Sequence, residues 1–189
     1  MTLLRLISTP DPELLTPESV KSYLRIDTDL DDSDLQGLIE SARDWLEAVT
    51  GRNYGVSSYI QFLSGFNDIT LPRSPYVDES ISIKYIDENE QEQELTDHFR
   101  MQPQPDPARL VFMNPPVALS KTDEMPVMVE FEAGYTDQNV PGIALTAMKL
   151  FISHYYNHRD LSDKRLDYTM DITQKLNHLI APLRVRRFL

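Results

Sequence analysis

The chain of 189 residues contains no cysteine. Disulfides, thiolate metal sites and a cysteine nucleophile are therefore excluded. Glycine is also scarce, at six residues, and they form no phosphate loop, dinucleotide fingerprint or GxSxG elbow. No apolar run approaches the roughly 20 residues that a membrane helix requires. The N-terminal "MTLLRLISTPDPELL" has a short apolar patch but no basic region, so it does not read as a signal peptide. A cytoplasmic origin is the expectation. Positive charge is thin over most of the chain: residues 1–163 carry 12 Lys+Arg against 28 Asp+Glu, a net of −16. Residues 164–189 reverse this, with 6 against 2 and a net of +4. Such a body opposes non-specific DNA binding, because Coulomb repulsion takes the place of counterion release.

What is present is enough apolar material, 41% of residues, to build a core. Thr16-Pro17-Glu18 is a helix start: a side-chain cap, a proline at the first helical position and an acid in the first turn. The acidic run that follows, "RIDTDLDDSD", invites comparison with a calcium loop. Counted from Asp27, the sixth and twelfth places hold Asp32 and Leu38 where that loop needs Gly and Glu, so helix capping and dipole stabilisation are the better account of these acids. Leu35, Leu38, Ile39, Ala42, Trp45, Leu46 and Val49 then form one unbroken helical stripe, closed by Thr50-Gly51. Trp45, the only tryptophan, is placed in the core by that stripe.

Beyond the stripe the period shortens. "SSYIQFL", "ESISIKYID", "EQEL", "HFRMQ", "ARLVFM" and "VMVEFEAGY" read as strands, and "DENEQ" as a hairpin turn. Pro141 opens a third helix with Ile143, Ala147, Leu150, Phe151 and Tyr155 along one face, and Ile172, Leu176, Leu179 and Ile180 suggest a fourth ending before Pro182. The expected class is α+β, in one domain over 1–189. Helices are placed at about 16–24, 33–50, 141–159 and 171–181, with an antiparallel β-unit at about 56–134 inserted between the second and third, and a tail from 182 to 189.

His154 and His158 stand four apart and share a helical face. A zinc-protease motif would need Glu directly after the first histidine, and residue 155 is Tyr. A metal-dependent hydrolase on this pair is the weaker alternative; a histidine pair on the exposed or interface side of the helix is expected instead. No metal, cofactor or catalytic residue is assigned.

The order of landmarks does resemble a family. "LLTPESVKSYLRIDTDLDDSDLQGLIESARDWLEAVTGRNY" is similar to the opening of the head–tail connector (adaptor, head-completion) proteins of tailed phages, which are also found in gene transfer agents. "ITLPRSPYVDESISIKYIDENEQ" resembles the family's "LP-x-x-P", strand and hairpin, with Asn89 where many members have a turn glycine. "VEFEAGYTDQNVPGIALTAMKLFISHYYNHRD" matches its strand, "GY", "VP" and helix. "LIAPLRVRRF" resembles its closing "L-x-AP-x-R". The resemblance implies a structural virion protein at the head–tail junction, present in the host cytoplasm during assembly, and no enzyme. It implies a homo-oligomeric ring, twelve-fold on the portal protein, that extends the DNA channel and helps retain packaged DNA. DNA would pass without sequence-specific binding, and the far face would receive a stopper or tail-completion protein. Leu183, Arg184, Val185, Arg186, Arg187 and Phe188 are the expected portal-binding residues, on a tail whose removal would leave the fold intact.

Overall fold

The structure, a computed structural model, describes residues 2–8, 13–102, 106–115, 118–136, 139–158 and 166–185. The chain divides into two compact units, Met1–Asp11 with Gly55–Tyr135, and Pro12–Tyr54 with Thr136–Leu189.

The first unit is β-structured. Its strands are β1 (Thr2–Ser8), β2 (Ser57–Leu63), β3 (Ile69–Thr70), β4 (Ser82–Ile86), β5 (Glu92–Glu94), β6 (Phe99–Gln102), β7 (Arg109–Phe112) and β8 (Val127–Ala133). Five make an antiparallel sheet in the order β1-β2-β8-β4-β5, and three make a second in the order β3-β7-β6. Along β2 and β8 every second residue is buried, the period of a sheet with one face in a core. Pairing Tyr59 with Phe131, Gln61 with Val129 and Leu63 with Val127 sets those residues on one face. Leu71, Ile83, Leu95 and Leu110 join them in a single apolar cluster. A full burial of this kind is worth about 1.5–3 kcal/mol per side chain, which also fixes the register, since a one-residue slip would turn the whole set to solvent.

All six expected strands are present. The β-unit is nevertheless not confined to an insertion between the second and third helices: its sheet begins with β1 from the N-terminus, six of whose seven residues pair along β2, with a register shift between Leu6 and Ser8. The hairpin between β4 and β5 also differs in detail. Positive φ falls on Glu90, at 60°, and not on Asn89. Asp87 organises the turn, its Oδ1 accepting the backbone N–H of Asn89 at 2.8 Å and of Gln91 at 3.0 Å. Those hydrogen bonds to the charged form hold its carboxyl below the usual aspartate value.

The second unit is helical: α1 (Pro17–Leu24), α2 (Asp32–Thr50), α3 (Gly142–Asn157) and α4 (Leu166–Ile180), followed by a 3₁₀ turn at Ala181–Leu183. Thr16 and Ser19 form a reciprocal capping box at the start of α1, with Pro17 in the first turn. Gly51, at φ 74°, ends α2 in the left-handed conformation. Of the stripe on α2, Leu35, Ile39, Ala42 and Leu46 are buried, while Leu38, Trp45 and Val49 are half-buried. Trp45 stacks on Phe151 of α3, with ring centroids 5.0 Å apart.

Two expectations shift here. The buried face of α3 is Ala144, Ala147, Met148 and Ile152, and Ile143 and Tyr155 are exposed. This helix is apolar nearly all round, so its periodicity does not select one face. The fourth helix starts at Leu166, ahead of the apolar pattern that begins at Ile172.

Candidate functional site

Where α2 stops, three consecutive residues form a seat for the end of the chain. Thr50 Oγ1 donates to the Leu46 carbonyl at 2.7 Å and accepts the Arg52 N–H at 3.3 Å. The Thr50 carbonyl accepts the Val185 N–H at 2.8 Å. Gly51 turns the backbone, with its missing Cβ facing Val185. Arg52 Nε donates to the Leu183 carbonyl at 2.6 Å. Leu183 is buried, Val185 is half-buried, and Arg184 reaches Asn177 Oδ1 at 2.9 Å while staying exposed. Leu183 and Val185 thus root the tail on its own helical unit. Arg186, Arg187 and Phe188 lie outside the described residues. In sequence Thr50-Gly51 marks only a helix end; the signal for a seat is Arg52 directly after the glycine.

The acidic run before α2 is tied down by one cation. Lys21 Nζ bonds Asp29 and, at 2.9 Å, Asp32. The bond to Asp29, then that to Asp32, raises the lysine above its ordinary value, and Asp29 is correspondingly lowered. Asp31 precedes α2 without a side-chain cap. Its Oδ2 instead accepts the Tyr156 hydroxyl at 2.6 Å, joining α2 to α3. The capping account of these acids therefore gives way to ion pairing and an interhelix hydrogen bond.

His154 and His158 stack with centroids 4.8 Å apart. Of the pair expected on an exposed or interface side of the helix, His154 is buried and His158 half-buried. Its pKa is held below the ordinary histidine value, by burial first and by His158 second. His158 closes α3, its N–H and Nδ1 both 3.0 Å from the His154 carbonyl. Among the described residues no group of three His, Asp or Glu side chains is placed to hold a metal ion. Beside this pair an open groove of about 650 Å³ runs past Gly37, Leu38 and Ser41 of α2 and Tyr155 of α3. Ser33, Asp34 and His158 complete its lining. Among the described residues no helix is long and apolar enough to cross a membrane.

Comparison with known proteins bears on these features. The family model described as "Phage gp6-like head-tail connector protein" matches residues 16–99, a span that includes α1, the acidic loop, α2, the seat and the β4–β5 hairpin. No curated protein gives a significant match. Among solved structures, a chain of the neck of an empty gene transfer agent (GTA) particle, computed with C6 symmetry, superposes with a TM-score of 0.77 at 18% identity. That match covers 99% of this chain and 97% of the other. A chain from the virion of a native GTA particle gives 0.73, and one from a native GTA neck computed with C12 symmetry gives 0.71, with the same identity and coverage. The fold is thus that of these neck chains from end to end, and in its sequence the chain resembles the phage gp6-like head-tail connector family.

Proposed function

We propose that this chain is a structural protein of the head–tail junction of a tailed phage or gene transfer agent. The observation that carries the reading is a coincidence: a connector-family sequence pattern over residues 16–99, in a fold shared with GTA neck chains over 99% of this chain. In this reading the two units act as one connector domain, and copies associate into a homo-oligomeric ring, twelve-fold on a portal protein. The ring extends the DNA channel, helps retain packaged DNA, and presents its far face to a stopper or tail-completion protein. It has no catalytic role.

Physical chemistry supports three parts of this reading, namely the acidic body, the helical bundle and the tail. An acidic body, net −16 over residues 1–163, lets DNA slide where a basic lining would hold it through counterion release. The stripe Leu35, Leu38, Ile39, Ala42, Trp45, Leu46 and Val49 holds the bundle together. The segment from Leu183 to Phe188 is the attachment to the portal: Leu183 and Val185 fix its root on the seat, and Arg184, Arg186, Arg187 and Phe188 meet the portal. Arginine suits a carboxylate surface through paired hydrogen bonds.

The test is a particle preparation without this protein. Heads that package DNA, lose it and carry no tail are the expected result, reversed by supplying the protein. Tailed particles that keep their DNA would overturn the reading.

A further inference from the structure

The two edges of the five-stranded sheet are open and unlike. Natural edge strands are usually blunted by shortness, charge or proline. β5 obeys this: it is three residues, Glu92-Gln93-Glu94. β1 does not. It is seven residues, "TLLRLIS", without proline and with one charged side chain, Arg5, at its centre. Leu3, Leu6 and Ile7 are 56%, 47% and 55% exposed. An edge this long and apolar is a template for another strand.

Register shows which strand would fit. Residues directly paired across a sheet point to the same face. Arg5 pairs with Ile60, Ile60 with Glu130, and Glu130 with Ser82. Ser82 shares a face with Lys84, two residues on, and Lys84 pairs with Glu94. Arg5, Glu94 and Glu92 therefore lie on one face of the sheet, at its opposite edges. Every step of the order is antiparallel, so after four steps β1 and β5 run in the same direction.

We propose that the open edge of β1 pairs with the β5 edge of a second copy of this chain, so that the sheet continues from copy to copy with Arg5 against the neighbour's Glu92 and Glu94. The pairing is parallel, which between separate chains needs no crossover connection. It joins opposite charges on one face and lays β5 along part of the apolar edge of β1. A symmetric β1–β1 pairing is disfavoured, since centring it on Arg5 sets two arginines opposite each other. Pairing unlike edges is heterologous, the kind of contact that closes into a ring when its rotation closes. The inference rests on the self-association in the proposed function and says which surface carries it.

The cysteine-free chain permits a clean test. Full-length Arg5→Cys and Glu94→Cys variants are prepared separately, mixed, and treated with a short bismaleimide over a range of concentrations, with association followed by sedimentation. Four strand spacings, about 19 Å, separate the two positions within one copy, and each molecule carries one cysteine, so only contact between copies yields a covalent dimer. The expected result is a dimer in the mixture and none with either variant alone. Arg5→Glu should also weaken association by about tenfold or more while melting like the parent. A dimer from Arg5→Cys alone would overturn the pairing in favour of the symmetric one. Association without a mixed cross-link would overturn it while leaving a ring intact. A chain that remains monomeric throughout also overturns it, and the particle experiment above then decides the head–tail reading separately.

Discussion

Gly134 holds φ at 143°, and a Cβ there would lie 2.8 Å from Val56 Cα and closer still to the Gly55 carbonyl. Both strain and collision oppose any side chain, so Gly134→Ala is expected to cost at least about 3 kcal/mol, read from urea unfolding. The "GY" landmark was legible in sequence; the backbone packed against it was not, because that contact crosses from the end of β8 to a residue far earlier in the chain. Trp45 was likewise legible as part of a stripe, but a stripe does not report how much of a large ring stays wet. Half-buried on Phe151, it should lose about 2 kcal/mol on replacement by Ala, less than the about 3–5 kcal/mol of a fully enclosed ring. His154 adds a pH dependence. Its folded pKa lies below the ordinary 6.5, so as pH falls the unfolded chain takes up the proton first. The stability contributed by the neutral ring is complete above that ordinary value and is lost as pH drops from it toward the lowered one. Unfolding free energy should therefore be smaller at about pH 5.5 than at about pH 7.5, and His154→Gln should flatten this slope. Spacing alone showed that two histidines share a face, but not that one is buried, since α3 is apolar on several sides.

At the scale of elements, the seat at Thr50-Gly51-Arg52 separates two halves of the tail. Removing residues 186–189 should leave melting unchanged but abolish attachment to the portal, measured by co-sedimentation. Removing residues 183–189 should also withdraw the buried Leu183 side chain and the bonds to Thr50 and Arg52, lowering stability by about 3 kcal/mol. A seven-residue truncation that melts like the parent would mean that the seat contributes nothing. α1 with its capping box, α2 with its apolar stripe and closing glycine, and the strands with strict alternation, β2 and β8, could be read locally because their signals are local. β1 could not. "TLLRLIS" does not alternate, and its partner β2 lies some fifty residues on, so nothing nearby marks it as a strand. The hairpin is legible in sequence, but its left-handed residue is Glu90 and not Asn89, since hydrogen bonds to the Asp87 carboxylate shape the turn.

For the whole molecule, the net charge of −12 sets an expectation that composition alone can support. The purified protein should bind duplex DNA no more tightly than about 10 μM at about 150 mM salt, judged by gel shift. Submicromolar binding would contradict an acidic channel. Composition and element order also gave the α+β class, whereas the division into two units depends on pairings between distant segments. That division orders events in time during synthesis. The strands from β2 to β8 emerge together with β1 already waiting, so the β-unit can close before the rest is made. The helical unit cannot. The apolar stripe of α2 packs on α3, which leaves the ribosome roughly 90 residues later, a delay of about 5–20 s at ordinary elongation speeds. For that interval Leu35, Ile39, Ala42 and Leu46 have no α3 to cover them, so the nascent chain passes through a sticky stage whose length is fixed by the size of the β-unit. Chaperone dependence should accordingly belong to the first two helices and end when α3 appears.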